Sequence, residues 1–218
     1  RVIIPTGVTL TVDNAFTANV ELQGNAVINL NHATGPNLSK LSPQSTDNFN
    51  VYPTIRKNTY GNIILSGTTT KSFEGDTITV LGNLTLGDGN ALKGAPHNAS
   101  YVRIFGNLTL NGTSPATAAD NAVDLEFNGA SAQTISTGRD LVLYRITTRS
   151  AQTVNVVNPA GTAIRLNLGS LKGGGLLLAN GSVLNLNNHH LILDDAAVIN
   201  PGQQTGVIGA NGGDVLVT

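Results

Sequence analysis

The carboxylates that could do chemistry lie mainly in one short stretch near the middle of the chain. Asp120, Asp124 and Glu126 fall on one side of an extended strand, because alternate side chains of a strand share a face. A glycosidase needs two carboxylates across the scissile bond, one of them with a raised pKa. The spacing therefore indicates a candidate polysaccharide-active group, although the sequence does not show that pairing.

A basic group follows the carboxylates. Arg139, Arg145 and Arg149 occupy odd-numbered positions, so they would point to the same side of an extended chain, and Asp140 lies beside Arg139. Guanidinium groups bind carboxylates with two parallel hydrogen bonds, so such a face could hold an anionic glycan. A solvated edge is the preferred interpretation, because exposed charges of this kind contribute little.

Metal ligands are scarce. The adjacent pair His189 and His190 would point to opposite faces of a strand, so both rings cannot hold one ion. Calcium needs six to eight oxygen ligands, and Asp88-Gly89-Asn90 and Asp13-Asn14 could supply some of them. The same residues are good turn formers, so we predict no cofactor and keep calcium as the alternative.

Aromatic residues define a second kind of candidate site. The chain has no Trp, so carbohydrate stacking must depend on 4 Tyr and 5 Phe. Phe49, Tyr52 and Tyr60 lie in or beside a polar segment and are the candidate ligand-contact residues. The other aromatic residues fall within strand patterns and are expected in the core: Tyr101, Phe105, Phe127 and Tyr144.

The composition limits the classes of function. Charged residues make up 11% of the chain, less than half the usual share of about 25%. A net charge of −1 excludes the electrostatic surface of a nucleic-acid binder or a basic membrane-surface helix. The absence of Cys excludes disulfides and thiolate chemistry. Low charge with abundant Asn, Thr and Gly is typical of an extracellular protein, and the missing initiator Met suggests a processed fragment or an internal segment.

A period of two dominates the hydrophobic pattern and predicts short, half-buried strands. Turn formers such as Asn111-Gly112 and Asn180-Gly181 separate the strands. The clearest alternating pairs are Val8/Leu10, Ile78/Val80, Leu84/Leu86, Leu108/Leu110, Leu125/Phe127, Val154/Val156 and Leu184/Leu186. We therefore predict an all-β fold.

An internal repeat predicts how the strands stack. The pentapeptide Gly82-Asn83-Leu84-Thr85-Leu86 recurs unchanged at 106–110. A repeat of roughly 20 to 25 residues is the size of one β-solenoid coil, which cannot bury its apolar side chains alone. The sequence thus predicts a right-handed parallel β-helix or β-solenoid over a single domain, 1–218. A β-sandwich is the alternative, since it also has short alternating strands.

One segment breaks this rhythm. Residues 31–59 are polar, carry Pro36, Pro43 and Pro53, and show few alternating pairs. We expect a long loop that leaves the stack, and long loops of this kind are often functional.

The segments that resemble a known family are Ile4–Val12, Tyr60–Lys71, Thr77–Leu86, Phe127–Ile135 and Gly181–Leu193. They are similar to the repeats of large cell-surface proteins that Bacteroidetes export through the type IX secretion system. The resemblance covers most of the chain except 31–59 and the final ten residues. It implies a secreted, cell-surface location, no catalytic residues, and a segment of a longer protein. It also implies O-glycosylation at Thr77, because Asp76-Thr77-Ile78 matches the Asp-Ser/Thr-apolar acceptor of those proteins.

These observations predict a structural or adhesive segment that forms a stalk or surface fibre and is not an enzyme. Its expected partners are the remainder of a longer chain, an end-to-end protein partner or surface glycans, without nucleic acid or membrane insertion. The second interpretation is a polysaccharide-binding or polysaccharide-degrading β-helix. Ice binding has less support, because the Thr-x-Thr pairs do not recur at one coil position.

Overall fold

The chain winds into a β-solenoid of stacked parallel strands in the computed structural model, which confirms the predicted fold. The structure describes residues 1–68, 71–74, 77–88, 90, 100–112, 123–157, 174–193, 197–199 and 205–217, together with the backbone of 163–166. The right-handed sense of the coil stays a prediction.

The strands are short, mostly of three to five residues, as the alternating pattern predicts. In chain order they are β1 (Val2–Ile4), β2 (Thr9–Val12), β3 (Asn19–Leu22), β4 (Val27–Leu30), β5 (Asn37–Lys40), β6 (Thr46–Phe49), β7 (Thr54–Arg56), β8 (Thr59–Tyr60), β9 (Asn62–Leu65), β10 (Ser72–Glu74), β11 (Thr77–Val80), β12 (Leu84–Leu86) and β13 (Ser100–Ile104). They continue as β14 (Leu108–Leu110), β15 (Val123–Phe127), β16 (Gln133–Thr137), β17 (Leu141–Leu143), β18 (Arg145–Thr148), β19 (Thr153–Val157), β20 (Ala163–Leu166), β21 (Gly175–Leu178), β22 (Val183–Asn185), β23 (His190–Leu193), β24 (Val198–Ile199), β25 (Val207–Gly209) and β26 (Asp214–Val217).

Three faces make up the solenoid. The first is a ten-stranded sheet, here called the long sheet, in the order β2-β4-β6-β9-β12-β14-β16-β19-β22-β25. The second face comprises β1-β3-β5 and β8-β11-β13-β15-β18-β21-β24, and each of these strands is followed along the chain by a strand of the long sheet. The two-stranded sheet β7-β10 and the four-stranded sheet β17-β20-β23-β26 form the third face. One coil therefore contributes one strand to the long sheet.

The interior is a column of stacked apolar side chains. Leu84 pairs with Ile63 on one side and with Leu108 on the other, so equivalent residues lie above one another. All six leucines predicted to share this interior are buried: Leu84, Leu86, Leu108, Leu110, Leu184 and Leu186. That prediction is confirmed.

The repeated Gly-Asn pair forms a corner at which consecutive coils approach closely. Gly106 N–H donates to Gly82 O at 2.9 Å, and a Cβ at Gly106 would overlap that carbonyl. The Asn side chains then link the coils, since Asn83 N–H donates to Asn62 Oδ1 at 2.9 Å and Asn107 N–H donates to Asn83 Oδ1 at 2.8 Å. The exact repeat therefore specifies both the close approach and the hydrogen bonds of this corner.

The expected loop over residues 31–59 is wrong, because β5, β6, β7 and the first residue of β8 lie within it and join the stack. Polar ladders hold this part of the chain: Asn48 Nδ2 donates to Asn29 Oδ1 at 3.4 Å, and Asn50 Nδ2 donates to Asn31 Oδ1 at 3.1 Å. The buried positions include aromatic rings and the polar Asp47 beside Leu38 and Ile55, so the usual apolar alternation is interrupted. Residues 37–60 are here called the aromatic coil.

Candidate functional site

The three candidate ligand-contact residues are buried, which contradicts their expected exposure. Phe49, Tyr52 and Tyr60 are 1%, 8% and 2% exposed. The rings of Phe49 and Tyr52 are stacked with centroids 6.2 Å apart, and Tyr60 meets Phe49 edge-on at 6.0 Å. They pack against one another because β6 and the chain that follows it turn inward at the position where other coils place leucines.

The backbone fixes two of these rings. The Tyr60 hydroxyl donates to Arg56 O at 2.8 Å. Gly35 lies against the face of Tyr52, and a Cβ there would be only 3.1 Å from the ring. These contacts position the two tyrosine rings, and one edge of the cluster lies toward the surface of the coil.

That edge opens into a pocket of about 130 Å³, here called the aromatic pocket. The pocket contains the three candidate residues, so the structure does bring them together, although in a buried cluster. Its lining residues are Pro36, Asn37, Leu38, Phe49, Tyr52, Thr54, Arg56, Lys57, Asn58 and Tyr60. Sequence reasoning missed the two cations at its mouth, Arg56 and Lys57, because the segment was interpreted as an irregular loop.

A buried carboxyl group lies close to the cluster. Asp47 is fully buried at an inward position of β6, paired in register with Ile28 and Ile63. No hydrogen bond reaches either of its oxygens, and the nearby Ser45 hydroxyl donates to Ser42 O instead. Burial raises the pKa of Asp47 to about 8 and outweighs the opposing effect of the nearby Ser45 side chain. Asp47 is therefore protonated at neutral pH and adds no charge beside the pocket.

The carboxylate group that the sequence indicates lies on β15, and its side chains point outward from the second face of the solenoid. Asp124 and Glu126 share one side of β15, as predicted, whereas Asp120 lies outside the described residues. Arg103 Nε donates to Glu126 Oε2 at 2.7 Å, and the Tyr101 hydroxyl donates to the same oxygen.

The other carboxylate is also paired. Arg145 Nε lies 3.4 Å from Asp124 Oδ2, and the Thr147 hydroxyl donates to Asp124 Oδ1 at 2.9 Å. Burial raises the pKa of Asp124, while Arg145 opposes that shift. Both described carboxylates thus hold strands β13, β15 and β18 together, since an arginine engages each of them.

The structure separates the three arginines that were expected on the same side of an extended chain. Arg139 is buried and donates to Gly87 O at 2.9 Å and to Asn90 O at 2.7 Å. Arg145 pairs with Asp124, and Arg149 is exposed. The hypothesis of one arginine face for an anionic glycan is therefore wrong, because Arg139 is buried and Arg145 is engaged by Asp124.

The proposed calcium turns have other roles. Asp13 Oδ1 accepts a hydrogen bond from Asn31 Nδ2 at 2.8 Å, and Asn90 Nδ2 donates to Gly67 O at 2.9 Å. Gly89 lies outside the described residues. In the part of the chain that the structure describes, no three His, Cys, Asp or Glu residues come together as a metal-binding group.

The adjacent residues His189 and His190, and also Thr77, lie on the sides of the chain that strand geometry predicts. His189 is 2% exposed, while His190 lies 3.3 Å from Asp214 Oδ2 on the other side. Thr77 begins β11 and is partly exposed, and Ile78 beside it is fully buried. Asp76 lies outside the described residues, so O-glycosylation at Thr77 stays a prediction.

Comparison with protein families, with curated proteins and with solved structures gave no match for this chain. The described residues contain no helix that is long and apolar enough to cross a membrane.

Proposed function

We propose that this chain is a structural and adhesive segment of a secreted cell-surface protein, in which stacked coils form a stalk or surface fibre. The main support is the outward face of the long sheet, which crosses every coil without a charged side chain. Its outward residues are Thr9, Thr11, Val27, Asn29, Thr46, Asn48, Asn62, Ile64, Thr85, Thr109, Thr134, Ser136, Thr153, Asn155, Val157, Val183, Asn185, Val207 and Gly209. A uniform side of low charge suits a spacer better than a catalytic groove.

The dimensions agree with a modular spacer. Neighbouring strands lie about 4.8 Å apart, so the ten strands of the long sheet span about 43 Å. Each strand of the long sheet pairs only with its two neighbours, so the length of the sheet increases with the number of coils.

The last coil supports an end-to-end partner or a continuation of the stack. Ile199, Val215 and Val217 occupy inward positions yet are 47%, 42% and 69% exposed. Their register partners one coil earlier are almost completely buried: Leu176, Leu191 and Leu193. Another coil placed on this end would bury the same apolar column and satisfy the open strand edges.

The polysaccharide-degrading alternative has weaker support, because Asp124 and Glu126 are both engaged by arginines. Ice binding also has weaker support. Thr85 and Thr109 stack on one another, but Ile64 precedes them in that column and Ser136 follows.

Two measurements test the proposal. Antibodies raised against the chain should label intact source cells, and labelling only after lysis would contradict a surface location.

In sedimentation velocity, the chain should associate as its concentration rises, and the double variant Val215→Lys/Val217→Lys should remain monomeric. The matched control Thr153→Lys, on the long sheet away from the ends, should associate like the wild type. Equal behaviour of all three proteins would reject end-to-end stacking.

A further inference from the structure

We propose that the aromatic coil is a pH-sensitive latch: a protonated Asp47 holds the coil closed, and the coil opens locally between β5 and β8 when Asp47 gives up its proton to solvent. This inference goes beyond the proposed function and does not depend on it, because it concerns one coil whatever the location of the protein.

The carboxyl group of Asp47 is buried without a hydrogen-bond partner in the described part of the chain. Its side chain lies between Ile28 and Ile63 and is 0% exposed, and no hydrogen bond reaches either oxygen. A buried carboxylate is costly unless it is paired and hydrogen-bonded, whereas the protonated group carries no charge. The closed coil therefore favours the protonated form, and the raised pKa of Asp47 reflects the same burial.

The surroundings of Asp47 supply no compensating positive charge. The flanking strands β4 and β9 contain no titratable side chain. Tyr60 of β8 is the titratable group whose charge would repel that of Asp47, and its hydroxyl donates to Arg56 O. The charged side chains of the neighbouring strands are exposed to solvent: Lys40 of β5, Arg56 of β7, Lys57 and Glu74 of β10. The buried Lys71 amine donates to Ser66 O, and Asp47 keeps its raised pKa beside all of these groups.

The aromatic coil can open without unfolding the stack, because its ladders are incomplete on two of the three faces. In the long sheet, β6 pairs with β4 on one side and with β9 on the other. On the second face, β5 ends one sheet and β8 begins the next, and these two described strands are not paired with each other. On the third face, β7 pairs with β10 alone among the described strands. Residues 50–60 can therefore separate from the preceding coil while β6 stays in the long sheet, and water then reaches Asp47.

A small set of bonds holds these residues against the preceding coil. Asn58 Nδ2 donates to Leu38 O at 2.6 Å. The Val51 and Tyr52 amides both donate to Leu30 O, at 2.9 and 3.3 Å. The opening breaks these bonds, so the two amides report on the state of the latch.

The direction of the pH dependence follows from the two protonation states. In the closed coil the pKa of Asp47 is about 8, whereas a solvated Asp47 in the open coil titrates near 3.8. The open coil thus loses its proton first, and the opening constant rises about tenfold per pH unit between about pH 4 and pH 8. Above this window both states have lost the proton and the opening constant levels off. The latch is consequently tightest in acid.

Hydrogen exchange followed by NMR between pH 5 and pH 8 tests the latch. The observable is the protection factor, the ratio of the intrinsic to the measured exchange rate at each pH, where opening is a fast pre-equilibrium. We expect the protection factors of the Val51 and Tyr52 amides to fall about tenfold per pH unit. At each pH they should also be lower than that of the Leu84 amide, which donates to Asn107 O at 2.9 Å in the regular coils.

Two variants identify the titrating group. In Asp47→Asn the protection factors of Val51 and Tyr52 should not change with pH, because the amide has no proton to release in this range. Asp13→Asn alters an exposed carboxylate and keeps an oxygen that can accept from Asn31, so it should retain the pH dependence of the wild type.

Four results would overturn the inference. In the wild type they are protection factors of Val51 and Tyr52 that are constant with pH, or values equal to that of Leu84 at every pH, which would mean that the coil opens only when the whole chain unfolds. In the variants they are a pH dependence that persists in Asp47→Asn, or one that is lost in Asp13→Asn. Thermal melts show whether each variant folds, and the wild-type series tests the latch even if Asp47→Asn does not.

Discussion

The coils that contain β9, β12 and β14 differ sharply from the aromatic coil, although both belong to the same stack. In the former, leucine or isoleucine lies on leucine and the Gly-Asn corners coincide. In the aromatic coil, the equivalent column contains Asp47, and one face lacks a continuous ladder. Regular stacking maximises stability, whereas departures from local rules tend to occur at functional sites. The comparison therefore directs the search for binding to residues 37–60.

The largest effect is expected in the regular coils. Leu108→Asp would bury a charged side chain where Leu84 and Ile135 pack, and we expect a loss of at least about 3 kcal/mol in the free energy of unfolding. Urea unfolding followed by circular dichroism measures the loss. Thr109→Asp, on the outward side of the same strand, should change stability far less. Equal losses would show that the inward and outward assignments are wrong.

Asp47→Asn should have the opposite sign and stabilise the protein by several kcal/mol at pH 7. The reason is that the native carboxyl group keeps its proton up to a pKa of about 8, whereas the unfolded chain releases it near 3.8. Each unit of difference corresponds to about 1.4 kcal/mol.

The pH dependence follows from the same shift. The native state binds more protons than the unfolded state between about pH 4 and pH 8, so the Asp47 contribution to stability falls as pH rises through this window. Unfolding curves of wild type and Asp47→Asn should therefore converge near pH 4 and diverge toward pH 8. A difference in the free energy of unfolding that stays constant with pH would show that Asp47 does not cause the pH dependence.

A smaller loss is expected for Gly106→Ala. The new methyl group would overlap Gly82 O and Asn83 Oδ1, so the corner must open, at a cost of about 1–3 kcal/mol. Thr85→Ala, on the outward face nearby, is the control. A thermal melt that leaves Gly106→Ala unchanged would show that the corner is not tightly packed.

The smallest effect is expected for Asn83→Ala. This change removes the oxygen that accepts from Asn107 N–H, and the exposed position lets water replace it, so we expect a loss of about 1 kcal/mol. Hydrogen exchange at the Asn107 amide provides a local measurement. Unchanged protection there would argue against a role of the ladder.

The sequence was sufficient to predict the solenoid, because the repeated Leu-x-Leu spacing and the Gly-Asn corner both depend on stacking. It did not reveal that 31–59 belongs to the stack, since the inward positions there include Asp47 and large aromatic rings. One signal was present: Asn29-Leu30-Asn31 recurs as Asn48-Phe49-Asn50, and these amides form the ladders that hold the segment.

The candidate site was only partly predictable. The sequence selected Phe49, Tyr52 and Tyr60, but their burial depends on packing between coils, which periodicity does not describe. The pairing of Asp124 with Arg145 likewise depends on the register of β15 with β18. In that register, paired residues lie 21 positions apart in the sequence. Such coil-to-coil distances follow from coil length, which varies along this chain.

The direction of the hydrogen-bond ladders has a mechanical consequence. The strands lie across the solenoid axis, so a force applied along the axis loads the bonds of the outermost coil first and the remaining coils in succession. Leu84 pairs with Leu108, 24 residues later, and a released coil of that length can extend by up to about 80 Å. Under tension such a solenoid would lengthen stepwise, with each coil absorbing work as it unwinds, rather than breaking at a single load.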